Sequence, residues 1–163
     1  MKKLLLVAVL LLTISALSFA GSTTATATAT VNAATVGVTK TADLALGSLN
    51  QGASSTVTAL QSGAAAFTVS GSNAVPTIVA ITYPGTLANG SNTMTFTSVG
   101  AGYQNSGGAA DQSTQSAFTV ATGGTVTSAS DGSLYLWVGG KVTATATQAP
   151  GSYTGTLTIT VTQ

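Results

Sequence analysis

Asp43, Asp111 and Asp131 are the only carboxylate side chains in this 163-residue sequence, and histidine and cysteine are absent. General acid–base chemistry would fall to these aspartates, to lysine or to the four tyrosines. Each aspartate has a plainer reading. Asp131 precedes Gly132 in a turn-type dipeptide, and Asp111 lies in a polar, glycine-rich stretch. Asp43, in TADLALG, can accept backbone bonds at a strand edge. Serines are numerous, but no histidine exists to activate one as a nucleophile. Calcium would want several closely spaced carboxylates, and no D-x-D-x-D run occurs. Neither catalysis nor a metal or cofactor site is expected.

Binding chemistry is equally restricted. Beyond Lys2 and Lys3 the only cations are Lys40 and Lys141, too few to form a nucleic-acid patch. Tyr135 and Trp137 alternate with Leu134, Leu136 and Val138 in SLYLWVGG, so the two rings share one strand face. Exposed, they would stack on a sugar ring; otherwise they pack in a core where aromatic residues are scarce.

The elements that must position these residues begin behind a leader. MKKLLLVAVLLLTISALSFA has a basic start, an apolar run from Leu4 and small residues at Ser18 and Ala20. That is the layout of a secretory signal peptide covering 1–20. An uncleaved anchor is the alternative, weakened by Thr13, Ser15 and Ser18 in the second half of the apolar run. Export and cleavage would leave 143 of the 163 residues, enough for one domain, with no stable membrane anchor. Thirty of those residues are threonine, mostly alternating with apolar neighbours. Threonine is β-branched and carries a hydroxyl, so it suits a pleated strand that faces water. The expected fold is all-β, an immunoglobulin-like or pilin-like sandwich over 35–163.

Alternation predicts strands near 35–40, 54–60, 65–70, 76–83, 92–99, 116–121 and 133–140. Residues 141–147 and 153–162 read as a hairpin around Pro150-Gly151. Asp131-Gly132 and Asn89-Gly90 read as hairpin turns, and 100–114 as a long surface loop. Leu134, Leu136, Val138, Tyr153, Leu157, Ile159 and Val161 are the expected core or groove residues.

The segment TTATATATV (23–31) stands apart. Ala25, Ala27, Ala29, Val31 and Ala33 share one face, yet Val36 and Val38 fall on the other phase. A one-residue slip reverses the buried face, so either a bulge sits at Ala33-Ala34 or two strands meet there; the second is expected, an arm within 21–34 preceding the domain's own first strand. Alanine alone buries little, so such an arm has weak reason to stay on its own domain.

Certain residues also resemble those of a known bacterial family. Thr39-Lys40-Thr41, Asp43-Leu44 and Gly47, then Val138-Gly139-Gly140, Gly151, Tyr153, Gly155 and Val161, carry the likeness. It is to exported, pilin-like β-sandwich domains catalogued as a domain of unknown function, similar in plan to common-pilus major subunits. The resemblance implies a fimbrial subunit at the cell surface that polymerises with copies of itself by lending its N-terminal strand. A periplasmic chaperone and an outer-membrane assembly protein are the other partners it implies. Two alternatives stay open: a monomeric, carbohydrate-binding surface module, and a biofilm-matrix amyloid built on the low-charge threonine/alanine tract.

Overall fold

The computed structural model describes residue 26 and residues 28–30, 35–119 and 122–163. The chain divides into two units, Met1–Asn32 and Ala33–Gln163. In the first, Thr26, Thr28, Ala29 and Thr30 are described, all exposed and outside any helix or strand. The expected leader and Ala25, Ala27, Val31 and Ala33 lie outside the described residues.

The described strands all belong to the second unit. They are β1 (Gly37–Ala42), β2 (Ser54–Val57), β3 (Ala65–Ser70), β4 (Pro76–Thr82), β5 (Thr86–Asn89), β6 (Asn92–Gln104), β7 (Ser116–Ala117), β8 (Gly123–Thr127), β9 (Ser133–Thr143) and β10 (Thr158–Thr162). The larger sheet runs β1-β3-β9-β6-β5, with β2 also on β9 and β7 also on β6. The smaller runs β10-β4-β8. Every pairing is antiparallel. The protein is an all-β sandwich, as threonine alternation and turn spacing predict.

β9 is the spine of the larger sheet. β3 pairs with its first half, β2 with its last residues, and β6 along its other edge. Leu134, Leu136 and Val138 point inward and are fully buried. They meet Ala65, Phe67 and Val69 of β3, Val79 and Ile81 of β4, and Val126 of β8. Val138-Gly139-Gly140 needs its glycines for close approach. A Cβ on Gly139 would stand 2.5 Å from the Val57 carbonyl oxygen, and one on Gly140 would strike the Phe96 ring.

Four expectations need correction. Residues 141–147 and 153–162 are not a hairpin: β9 ends at Thr143, and β10 pairs with β4 in the opposite sheet. Pro150-Gly151 therefore lies in a crossover between sheets; alternation gives a strand's face but not its partner. Asp131-Gly132 likewise joins β8 and β9, which belong to different sheets. Residues 100–104 belong to β6, which runs through a bulge between Ser98 and Gly100, so the surface loop is shorter than 100–114. Of the strand expected at 116–121, the described residues form β7 at Ser116–Ala117, with the Phe118 amide donating to the Ala101 carbonyl, while β5 and β8 escape the sequence pattern because they are short and contain few bulky apolar residues. Asn89-Gly90 does serve a hairpin, between β5 and β6, with Gly90 at φ +59°.

Candidate functional site

The two sheets do not cover one another completely. Beyond the main core, Met94 and Phe96 of β6 and Val142 of β9 form a second buried cluster with Ala144. No strand of the smaller sheet packs on it. Its cover comes from Leu44, Leu46, Leu49, Tyr83, Leu87 and Tyr153, all only partly buried. Most of these stand on two segments, 43–51 and 148–157, that belong to no strand.

Between these segments lies an open groove of about 1200 Å³. Its floor includes Phe67, Met94, Phe96 and Val142, and Leu157 stands on one wall. Ordinary small-molecule pockets run from about 300 to 1,000 Å³, so this groove is large and elongated for one. The nine residues of the 43–51 wall span at most about 30 Å, and Gly47, at φ +74°, keeps them short of full extension.

The walls are chain outside the strands, with little pairing. On one, Ala45 donates to the Gly63 carbonyl at 2.8 Å and the Leu46 carbonyl accepts from the Ser55 hydroxyl, while the amides of Leu44, Leu46, Gly47, Ser48 and Leu49 donate to no described residue. On the other, Thr154 exchanges two bonds with Ala88, and the amides of Gly155, Thr156 and Leu157 donate to no described residue. Backbone with open amides beside an apolar floor is what a further strand can pair with.

One end of the groove is tied. Gln51 Nε2 donates to the Gln148 carbonyl at 2.7 Å, and the Gly52 amide to the Thr145 carbonyl at 2.9 Å. Gln148 is itself buried and fully used. Its Oε1 accepts from the Thr145 amide and hydroxyl, and its Nε2 donates to the Thr93 carbonyl at 3.0 Å and to the Tyr153 hydroxyl at 2.7 Å. The Tyr153 hydroxyl in turn donates to the Ala149 carbonyl at 2.7 Å. A buried polar network with each member satisfied holds its segment rigidly.

The expected site residues separate into distinct places. Tyr153 and Leu157 line the groove, whereas Ile159 and Val161 pack from β10 against the main core. Ala29 is exposed. Tyr135 and Trp137 do share a face, with ring centroids 6.4 Å apart, but it is the outer face of the larger sheet rather than the sandwich core. Trp137 is only 6 % exposed, packed in a third cluster with Val57 and Ala64. Tyr135 donates to the Gly108 carbonyl at 2.7 Å. The pair therefore offers no open stacking platform for a sugar.

The aspartates serve local structure. Asp43 accepts from Lys40 Nζ at 2.7 Å, an exposed ion pair rather than the expected backbone bonds. Asp111 accepts from the Ser113 amide and hydroxyl at the start of a short 3₁₀ turn. Asp131 accepts from the Ser133 amide and hydroxyl. These bonds hold both carboxyls below their ordinary range. Among the described residues no cluster of three carboxylate, histidine or cysteine groups could hold a metal ion, and no helix is long and apolar enough to cross a membrane. No family model matches the chain, and no curated protein matches it.

Titration leads to one prediction. Tyr83 is half-buried against Phe96, and burial pushes its hydroxyl up from 10.0 to about 12. A raised pKa contributes stability that is complete below 10.0 and is lost as pH climbs through 12. The lowered carboxyls of Asp111 and Asp131 act oppositely, contributing above 3.8 and losing that contribution as pH falls through their folded values. Denaturation midpoints followed against pH should be flat between these limits and fall on the alkaline side above 10.0. Tyr83→Phe should flatten the alkaline limb; an unchanged alkaline fall would assign it elsewhere.

Proposed function

We propose that this chain is a structural subunit of an extracellular fimbria, exported through its leader and polymerised when residues 22–33 of one copy fill the groove of the next. The observation that carries this reading is the groove: an apolar floor flanked by backbone amides that donate to no described residue. A strand laid there gains ladder hydrogen bonds at about 0.5–1.5 kcal/mol each and covers the partly exposed Leu44, Leu46, Leu49 and Tyr153, at ~25 cal/mol per Å² of apolar surface removed from water. Twelve residues of arm extend to about 40 Å, long enough for the groove. Bulky Phe67, Met94 and Phe96 already fill the floor, which suits an occupant whose inward side chains are alanine and valine.

The low charge fits the same use. Beyond the leader the side chains carry a net charge of −1, so copies meet without strong repulsion, while threonine hydroxyls keep the outer faces wet. Negative-stain imaging of purified surface material tests the reading. Beaded filaments are the expected result. Dispersed particles would favour a monomeric module, and fibrils with cross-β spacing a matrix amyloid.

A further inference from the structure

An alternating threonine/alanine strand has a defect as a donor. Slipping TTATATATV by two residues puts alanine back where alanine was across 25–29, so only Thr23 and Val31, at the ends of that face, mark the register. A strand's register is normally fixed by an irregular pattern of buried residues. From Thr24 to Thr30 this arm has none: every inward position is alanine. With Val31 as the one bulkier inward mark on the donor, filaments with one repeat distance gain from an acceptor that supplies the rest of the register.

We infer that the Gln51–Gln148 bridge is an end stop that fixes the register of the strand in the groove. This rests on the strand-donation reading above and specifies how its site works. Among the described residues, the bond from Gln51 Nε2 to the Gln148 carbonyl is the only hydrogen bond joining residues 43–51 to 148–157. It closes the groove at one end and leaves the rest of its length unbridged. The acceptor side cannot swing aside, because the buried Gln148 side chain is held on Thr145, Thr93 and Tyr153. The donor side, Gln51, is exposed. Replacing it therefore removes this side-chain bridge without opening the core, and the Gly52 amide bond to the Thr145 carbonyl remains as the next closure, one residue further on. A strand entering along the walls runs until it meets this bridge, and each copy stops at the same residue.

Absence of native cysteine makes the test clean. Ser48, exposed on the groove wall, is changed to cysteine, and a second cysteine replaces Ala25, Ala27, Ala29 or Val31 in turn. A two-residue slip moves the arm by about 6.6 Å. A disulfide tolerates Cα separations only from about 4.4 to 6.8 Å, so cross-linking reads the register. Assembled full-length protein should link predominantly through one arm position. With Gln51→Ala, or with the isosteric Gln51→Glu that cannot donate to a carbonyl, positions two residues away should gain. The preference for a single register should fall about fivefold, the effect of losing one ordinary hydrogen bond. One unchanged dominant position in all three proteins overturns the end stop and leaves strand donation standing. If no arm position links to Ser48→Cys or to Thr156→Cys on the opposite wall, strand donation falls, and the end stop with it.

Discussion

A chain lacking residues 22–33 should form no filaments and should unfold at a lower temperature than the assembled protein. Its groove stays open, so the half-buried Leu44, Leu46 and Leu157 keep water beside them and the wall amides keep no described partner. Returning the same segment after Gln163 through a flexible linker reverses the defect without restoring polymers. β10 ends at Thr162, and its inward residues Ile159 and Val161 are only half-buried. A tethered strand that turns back along β10 reaches the groove of its own molecule. The product should be a monomer that melts above the deletion variant, as seen by size-exclusion chromatography and thermal unfolding. Filaments from the deletion variant would show that another segment joins the copies.

The second large effect separates two adjacent residues. Thr28 and Ala29 are both exposed in the single chain, so aspartate at either should leave its stability within error. Only a partner tells them apart. Ala29 is on the inward face of the arm, and Ala29→Asp would force an unpaired carboxylate onto the apolar floor. An uncompensated buried charge costs about 3–5 kcal/mol, equivalent to a loss of about 10² to 10³ in affinity. Ala29→Asp should therefore behave like the deletion in sedimentation of assembled material, while Thr28→Asp, facing water, should assemble nearly as the parent does. Equal behaviour of the two would mean that the arm does not bury one face.

Much of the fold is legible in local pattern. Leu134, Leu136 and Val138 announce a buried strand because apolar residues fill its inner positions, and they are the centre of the core. The Val138-Gly139-Gly140 motif carries a structural reason that sequence alone leaves hidden: Val57 and Phe96 crowd its two glycines. Partnering is the part that alternation does not encode. TGTLTITVT specifies a strand with one apolar face, and nothing within it says that β4 rather than β9 lies beside it.

The groove is legible only in pieces. Tyr153 and Leu157 stand out as apolar residues on an alternating face, and both line it. Leu44, Leu46 and Leu49 also carry a signal, a period-two start in DLALGSL, but without a partner strand that pattern does not show what it covers. Met94, Phe96 and Val142 look like ordinary core positions, since an inward residue reads the same whether the opposite sheet reaches it or not. Gln51 and Gln148 have no sequence signature; their roles come from a bond spanning 97 residues.

Adding the arm back as a separate molecule tests the central claim most directly. The chain lacking 22–33 is heated with increasing amounts of the synthetic peptide TTATATATV, and its melting temperature is followed. A ligand that binds only the folded state stabilises it by about 2.7 kcal/mol at a hundred times its Kd. The account predicts a rise in melting temperature that depends on peptide concentration, and none with a peptide carrying aspartate in place of the alanine at position 29. A melting temperature indifferent to both peptides would contradict the reading of the groove as the seat of a neighbour's strand.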